Sequence, residues 1–266
     1  MPDYEFPKAF LEHLRGQFQR ALPVLFTGAG FSLDATSITG RPIPSVNTLK
    51  EELWSLCFPQ DAYEESTSLT YLFDHALLRH PKKLTELLRP LLTVETDSIP
   101  EWYSVYFKLP WFRCYTLNID DLPAAANRKF RPDRPIEYVS GAASQTDRTI
   151  DDSGTLSAIC LNGTTDDLPD RVTFSVNQYA DRLANRLDPW YLRLTADLLT
   201  RSFVFVGTSL DEPPLWQHIA IRGERGRDLR ELRPRSYLVI PKLDRARKAL
   251  LAGHLDPRYP NSHAGG

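Results

Sequence analysis

The chain has 266 residues, 42% hydrophobic and 25% charged, which is enough to bury a sizeable core and ordinary for a globular protein. Lys and Arg number 32 against 34 Asp and Glu, a net charge of −2, so composition gives no argument for nucleic acid or an anionic membrane as a partner. No apolar run approaches a membrane span and Met1-Pro2-Asp3-Tyr4-Glu5 is not a signal peptide, which predicts a cytoplasmic protein. Cys57, Cys114 and Cys160 are odd in number and far apart, so they frame neither disulfides nor a zinc site. The histidines at 13, 75, 80, 218, 254 and 263 show no ligand spacing, and no metal is predicted.

Taken in chain order, Pro7 to Leu22 reads as an amphipathic helix on the spacing of Phe10, Leu11, Leu14, Phe18 and Leu22. It leads into Val24-Leu25-Phe26-Thr27, a short apolar run that predicts a strand buried on both faces. The following Gly28-Ala29-Gly30-Phe31-Ser32 allows a tight turn whose free N–H groups suit a pyrophosphate. A plain strand-to-helix turn fits the same residues. Leu33 to Pro44 is rich in Thr, Ser, Gly and Pro and predicts a loop, either one that closes over a ligand or a simple connection.

From about 45 to 110 the pattern is helical, with Leu49, Leu53 and Leu56, then Leu69 to Phe73, Lys82 to Leu88 and Glu101 to Phe107, punctuated by Pro59, Pro81, Pro90 and Pro100. This stretch reads as a helical module inserted after the first strand, placed to cover a cleft. Phe112 to Thr116 predicts a second core strand ending in the polar Asn118, Asp120 and Asp121. Short strands follow at Pro135 to Val139 and Ser157 to Leu161, with an exposed loop over Gly141 to Gly154 between them. The second of these ends in Asn162-Gly163-Thr164-Thr165-Asp166.

Val172 to Val176 reads as an extended piece before a helix through Tyr179 and Leu183. Pro189 opens a helix to about Thr200. Phe203 to Val206 is the plainest strand, stopped by Gly207-Thr208-Ser209-Leu210, with a helix through Trp216 and Ile219 after it. Ser236 to Ile240 is the last strand, and 256–266 reads as a frayed tail or the start of a linker to a missing domain. Strands alternating with helices predict an α/β fold, a Rossmann-like parallel sheet with helices on both faces. Four strand ends carry glycines or polar side chains, at Gly28, Asn118, Asn162 and Gly207, on the edge where such sheets bind ligands.

Those four ends, in that order, resemble the sirtuin family. Gly28 to Ser32 is similar to its Gly-Ala-Gly-x-Ser loop, and Thr116-Leu117-Asn118-Ile119-Asp120 to its Thr-Gln-Asn-Ile-Asp, with Leu117 in place of Gln. Asn162-Gly163 falls where the family has His-Gly. Gly207 to Leu210 is similar to its Gly-Thr-Ser-Leu, and the continuation into Asp211-Glu212-Pro213 is nearer to bacterial sirtuin-like domains than to histone deacylases.

The resemblance implies one NAD-binding domain over 1–255, with the helical module standing in place of the zinc ribbon of the deacylase branch. It implies that Gly28, Ala29, Gly30, Phe31 and Ser32 hold the pyrophosphate. Asn118 and Asp120 then face nicotinamide and its ribose and form the catalytic set with Asn162. Gly207, Thr208 and Ser209 approach the adenosine half, and Thr116 and Leu210 complete the cofactor-binding residues. NAD enters as substrate, without a metal. The implied function is that of an NAD⁺ glycohydrolase effector in bacterial anti-phage defence, homo-oligomeric and fused to or partnered with a sensor. It implies no membrane and no direct nucleic-acid contact.

The alternatives are a non-catalytic NAD-binding sensor and, third, a protein deacylase. Asn118 and Asp120 also have plain readings, as caps of the following turn. Asn162 cannot act as the general base that a histidine would. A deliberate histidine-to-asparagine replacement, natural hydrolysis through Asn118 and water, and a pseudoenzyme all fit it, and Asp166 and Asp167 are substitute bases close in sequence.

Overall fold

The computed structural model describes residues 8–142, 154–184, 188–208, 210, 236–239 and 245. Six short strands, β1 (Val24–Thr27), β2 (Arg113–Thr116), β3 (Ile136–Ser140), β4 (Leu156–Cys160), β5 (Phe203–Val206) and β6 (Tyr237–Val239), form one sheet in the order β3-β4-β2-β1-β5-β6. Every pairing is parallel. From β1 the chain places β2 beside it, β3 at the far edge and β4 between those two, then returns to place β5 on the other side of β1. The switch point lies between β1 and β5, where open α/β sheets form a crevice at the carboxyl ends of their strands.

Alternation along each strand divides the core. Leu25, Cys114, Ala158, Val204 and Tyr237 face one side with Tyr103, Phe107, Leu122, Ala125 and Ala126. Those partners belong to α6 (Tyr103–Lys108) and α7 (Leu122–Phe130), and Phe18 of α1 (Lys8–Arg20) joins them at the edge. Val24, Phe26, Tyr115, Ile159, Phe203 and Phe205 face the other side, against Trp190, Tyr191, Leu194 and Leu198 of α9 (Pro189–Thr200). Asp188 caps α9 by accepting from the amides of Trp190 and Tyr191. The fold is a Rossmann-like parallel sheet with helices on both faces.

A third apolar cluster joins α3 (Val46–Cys57), α4 (Leu69–Arg79) and α5 (Pro81–Leu92) through Leu49, Leu53, Leu72, Phe73, Leu84 and Leu88. Ile119, Leu168 and Val172 enter the same cluster, which seats these helices against the carboxyl edge of the sheet. Pro90 does not break α5, which runs through it to Leu92. Pro90 lies in the last turn and, lacking an N–H, leaves the bond to the Glu86 carbonyl unmade.

Two expectations change. Val172 to Val176 forms no strand; Thr173 donates its amide to the Asn162 carbonyl at 2.8 Å, and α8 (Val176–Ala184) begins at once. The helix α7, absent from the sequence reading, carries Pro123 in its first turn and buries Leu122, Ala125 and Ala126. Cys57, Cys114 and Cys160 are all buried free thiols. The helix expected through Trp216 and Ile219, most of the loop expected over Gly141 to Gly154, and the tail from 256 lie outside the described residues. Among the described residues no helix is long and apolar enough to cross a membrane.

Candidate functional site

The turn after β1 opens at Gly28 into α2 (Ala29–Ser32), a single helical turn. It packs on the turn after β5, backbone against backbone. The Gly28 amide donates to the Val206 carbonyl at 3.2 Å and the Gly30 amide to Gly207 at 2.8 Å, while the Phe31 amide donates to Gly28 at 2.8 Å. A Cβ on Gly207, which has φ +65°, would lie 2.2 Å from the Phe31 nitrogen. One on Gly28 would lie 2.6 Å from the Thr208 Cβ. These glycines therefore let two turns meet. The amides of Gly28, Gly30 and Phe31, expected to be free for a pyrophosphate, are already committed.

Phe31 is a core residue, edge-on to Tyr103 at 5.3 Å and to Tyr106 at 5.2 Å. The Tyr103 hydroxyl donates to the Phe31 carbonyl. Leu210 is likewise buried in the core, with its amide donated to the Thr208 hydroxyl at 3.0 Å. Ser209 lies outside the described residues.

The segment after β2 carries the side chains that gather. Asn118 donates its amide N–H to Thr116 Oγ1 at 3.1 Å, which makes Thr116 a buried support beneath the loop. Its Nδ2 donates to the Gly28 carbonyl at 3.1 Å and to Ser32 Oγ at 2.8 Å, tying the ends of β1 and β2 together. Asp120 is 4% exposed. Its Oδ1 accepts from the Leu122 amide at 3.2 Å, and its carbonyl accepts from the Tyr138 hydroxyl at 3.0 Å. Burial pushes its carboxyl up from 3.8 to about 6, against hydrogen bonds from Ser32, the Leu122 amide and Asn118 that hold it down. Asp120 thus caps the start of α7 and faces the cleft as well.

Asn162, at the end of β4, is also 4% exposed. Its Nδ2 donates to the Leu117 carbonyl at 2.9 Å, which fixes the direction of the amide. Its Oδ1 has no hydrogen-bond partner among the described residues. A buried acceptor left unpaired costs about 1–3 kcal/mol, so this oxygen is open to a donor from a water or a ligand.

Ala29, Asn118, Asp120 and Asn162 line one cleft of about 160 Å³ at the carboxyl edge of the sheet. Val46 and Leu49 of α3, Leu69 and Thr70 of α4, and Leu92 at the end of α5 form the facing wall. Ile43 and Pro44 of the loop after α2, with Phe174 and Tyr179, complete it. That loop is pinned by backbone bridges from Thr36 to Pro42 and from Ser37 to Val94. Thr70, Phe174 and Tyr179 were not foreseen as site residues. Apolar spacing places them on helices or next to one, and only packing turns them towards the strand ends.

The substitute bases are spent elsewhere. Asp167 is buried, and its Oδ2 accepts from the Thr164 amide and hydroxyl, each at 2.8 Å, and from Ser140 Oγ at 2.6 Å. Asp166 is exposed and lies 3.7 Å from Arg89. Neither lines the cleft. Among the described residues no cluster of three or more His, Cys, Asp or Glu side chains is placed to hold a metal ion.

A parallel sheet with its switch point at two interlocked glycine turns, and an asparagine–aspartate loop beside them, is the setting in which the family comparison can be read. The SIR2-like domain family matches residues 113–255, more than half of the chain. The chain belongs to the SIR2-like family. The match starts at the first residue of β2, so it takes in Asn118, Asp120, Asn162 and the Gly207 turn and leaves the Gly28 turn outside. No curated protein matches the chain. SIR2-like domains are typically NAD-dependent enzymes, which makes an NAD-related function the one this fold carries. The lining of the cleft in this SIR2-like chain combines two amides and one carboxyl with an apolar wall.

Proposed function

We propose that this SIR2-like chain is an NAD⁺ glycohydrolase, converting NAD⁺ and water to nicotinamide, ADP-ribose and a proton, with turnover held low by Asn162. In this reading it is a cytoplasmic, homo-oligomeric effector that depletes NAD⁺ in bacterial anti-phage defence, under the control of a fused or separate sensor. The observation that carries the catalytic part is the convergence of Asn118, Asp120 and the unpaired Oδ1 of Asn162 on one cleft.

Bound there, NAD⁺ supplies a ribose carbon that carries a cationic leaving group. Cleavage builds positive charge on the sugar, and the Asp120 carboxylate, ionised above about pH 6, stabilises it at close range in a site shielded from water. Asn118 is held by Gly28 and Ser32, and so orients a hydroxyl or a water without moving itself. Asn162 Oδ1 accepts one further hydrogen bond but takes no proton. Asp120 is the one carboxyl among the described lining residues and serves as the charge that stabilises the sugar, so the proton that water gives up passes to solvent without a general base. A missing general base typically costs about 10²–10⁴ in rate.

The second reading, a non-catalytic NAD-binding module, is favoured by one observation. Asn162 offers a satisfied donor and an open acceptor, which serves binding without chemistry. Nicotinamide release by the unchanged chain beside Asn162→His separates the two. The first reading expects release to rise by about 10²–10⁴ in the histidine variant. Binding of NAD⁺ by both without release by either would favour the module, and binding by neither would refute the site.

A further inference from the structure

The peptide planes on either side of a residue set its φ and ψ, and with them the direction in which its side chain leaves the backbone. Both planes around Asn162 are held from one place. The Leu161 carbonyl, in the plane that enters Asn162, accepts from Arg182 Nη1. The Asn162 carbonyl, in the plane that leaves it, accepts from the Thr173 amide at 2.8 Å. Thr173 Oγ1 in turn accepts from Arg182 Nη1 at 2.9 Å.

Arg182, on α8, spends its whole guanidinium there. Nε and Nη2 both donate to Asp188 Oδ2, at 3.1 and 3.0 Å, and Nη2 also donates to the Gly141 carbonyl at 2.8 Å. With the two bonds from Nη1 that makes five, the full donor count of the group. Gly141 and Leu161 come immediately after β3 and β4. One side chain thus ties the ends of two strands to the segment that enters α8 and to the cap of α9. Arg182 is not among the residues lining the cleft, whereas Phe174, next to Thr173, and Tyr179, three residues before Arg182, do line it.

We infer that Arg182 is the positioning residue for Asn162. By fixing both flanking planes it sets the direction of the Asn162 side chain, so that Nδ2 meets the Leu117 carbonyl at 2.9 Å and Oδ1 is left open. It acts through Asn162 and touches no ligand itself. That the ligand is NAD⁺ rests on the reading above; the aim of Asn162 rests on these hydrogen bonds alone.

Arg182→Lys tests this, because it keeps a positive charge beside Asp188 and leaves no carboxylate unpaired. A single ammonium has three donors for the work of five and no planar fork. Arg134→Lys is the control, since Arg134 donates to the Thr155 and Trp111 carbonyls ahead of β4 and β2, at the other edge of the sheet. The readouts are calorimetry with NAD⁺ and the NMR signal of the Asn162 side-chain amide, at a temperature where each variant is folded. Arg182→Lys is expected to weaken NAD⁺ about tenfold, what one well-made hydrogen bond contributes, and to move the Asn162 signal. Arg134→Lys is expected to lower the melting temperature but to leave affinity within about twofold and the signal in place. In an Asn162→Ala background Arg182→Lys is expected to cost no further affinity, because the residue it acts through is gone.

An equal loss with and without Asn162, no loss at all, or a loss matched by Arg134→Lys would overturn the inference. If the unchanged chain binds no NAD⁺, the NMR signal decides. A shift in Arg182→Lys alone would then uphold Arg182 and overturn the NAD⁺ reading, and no shift would overturn both. Should Arg182→Lys not fold, Thr173→Val removes one of the five bonds and no charge, and carries the same cycle with an expected loss of about threefold.

Discussion

Replacing Asp120 by Asn tests whether its carboxyl is buried for chemistry at the expense of stability. Burial raises it from 3.8 to about 6, and each pH unit is worth about 1.4 kcal/mol, so keeping the charge in the folded chain costs about 3 kcal/mol. The sign follows from linkage. The folded value lies above the unfolded one, so the stabilisation by the bound proton is complete below about pH 4. It is lost as pH rises through about 6. The amide of the Asp120→Asn variant does not titrate. It keeps the shape and can still accept from the Leu122 amide, which Asp120 Oδ1 does at 3.2 Å.

The stability of Asp120→Asn relative to the unchanged chain should therefore rise by about 3 kcal/mol between pH 4 and pH 7.5 and stay level above that. Urea unfolding of both proteins at half-unit pH steps measures it, and carboxyl NMR titration places the midpoint directly. A difference flat to within about 1 kcal/mol across that range, or one of opposite sign, would refute the burial argument. NAD⁺ turnover by the variant should fall even as its stability at neutral pH increases.

Gly207→Ala should destabilise by several kcal/mol and lower soluble yield, because its Cβ would lie 2.2 Å from the Phe31 backbone nitrogen at φ +65°; thermal melting within a degree of the unchanged chain would count against interlocked turns. Arg182→Ala should cost about 3–5 kcal/mol in urea unfolding. It removes the partner of Asp188, at 3.0 and 3.1 Å, together with donors to Thr173 Oγ1 and the Leu161 and Gly141 carbonyls. The amide exchange of Thr173, which holds the Asn162 carbonyl, should quicken in that variant.

Much of the fold is legible along the chain. Phe203 to Val206 and Val24 to Thr27 announce buried strands because four consecutive apolar or β-branched residues suit a sheet covered on both faces. Pro189 marks the start of α9 because its fixed φ and missing N–H suit a first turn. Asn118, Asp120 and Asn162 are legible as strand-end polar residues, and the sheet brings all three to one cleft. Less legible is α7, whose buried side includes Ala125 and Ala126. Small residues at a close helix–sheet contact leave a weak hydrophobic signal.

By itself, then, the sequence determined which segments are strands, that they alternate with helices, and which of their ends are polar, since these depend on each residue and its near neighbours. Tertiary structure alone decided how the glycines pack. Gly28, Gly30 and Gly207 read from sequence as turn residues at two separate strand ends, and only the return of β5 to pair beside β1 brings the two turns against each other. It also decided that Thr70 of α4 and Tyr179 of α8 face Asn162 across one space. Residues so far apart meet only through strand order and the packing of helices on the sheet edge, and no local pattern encodes either.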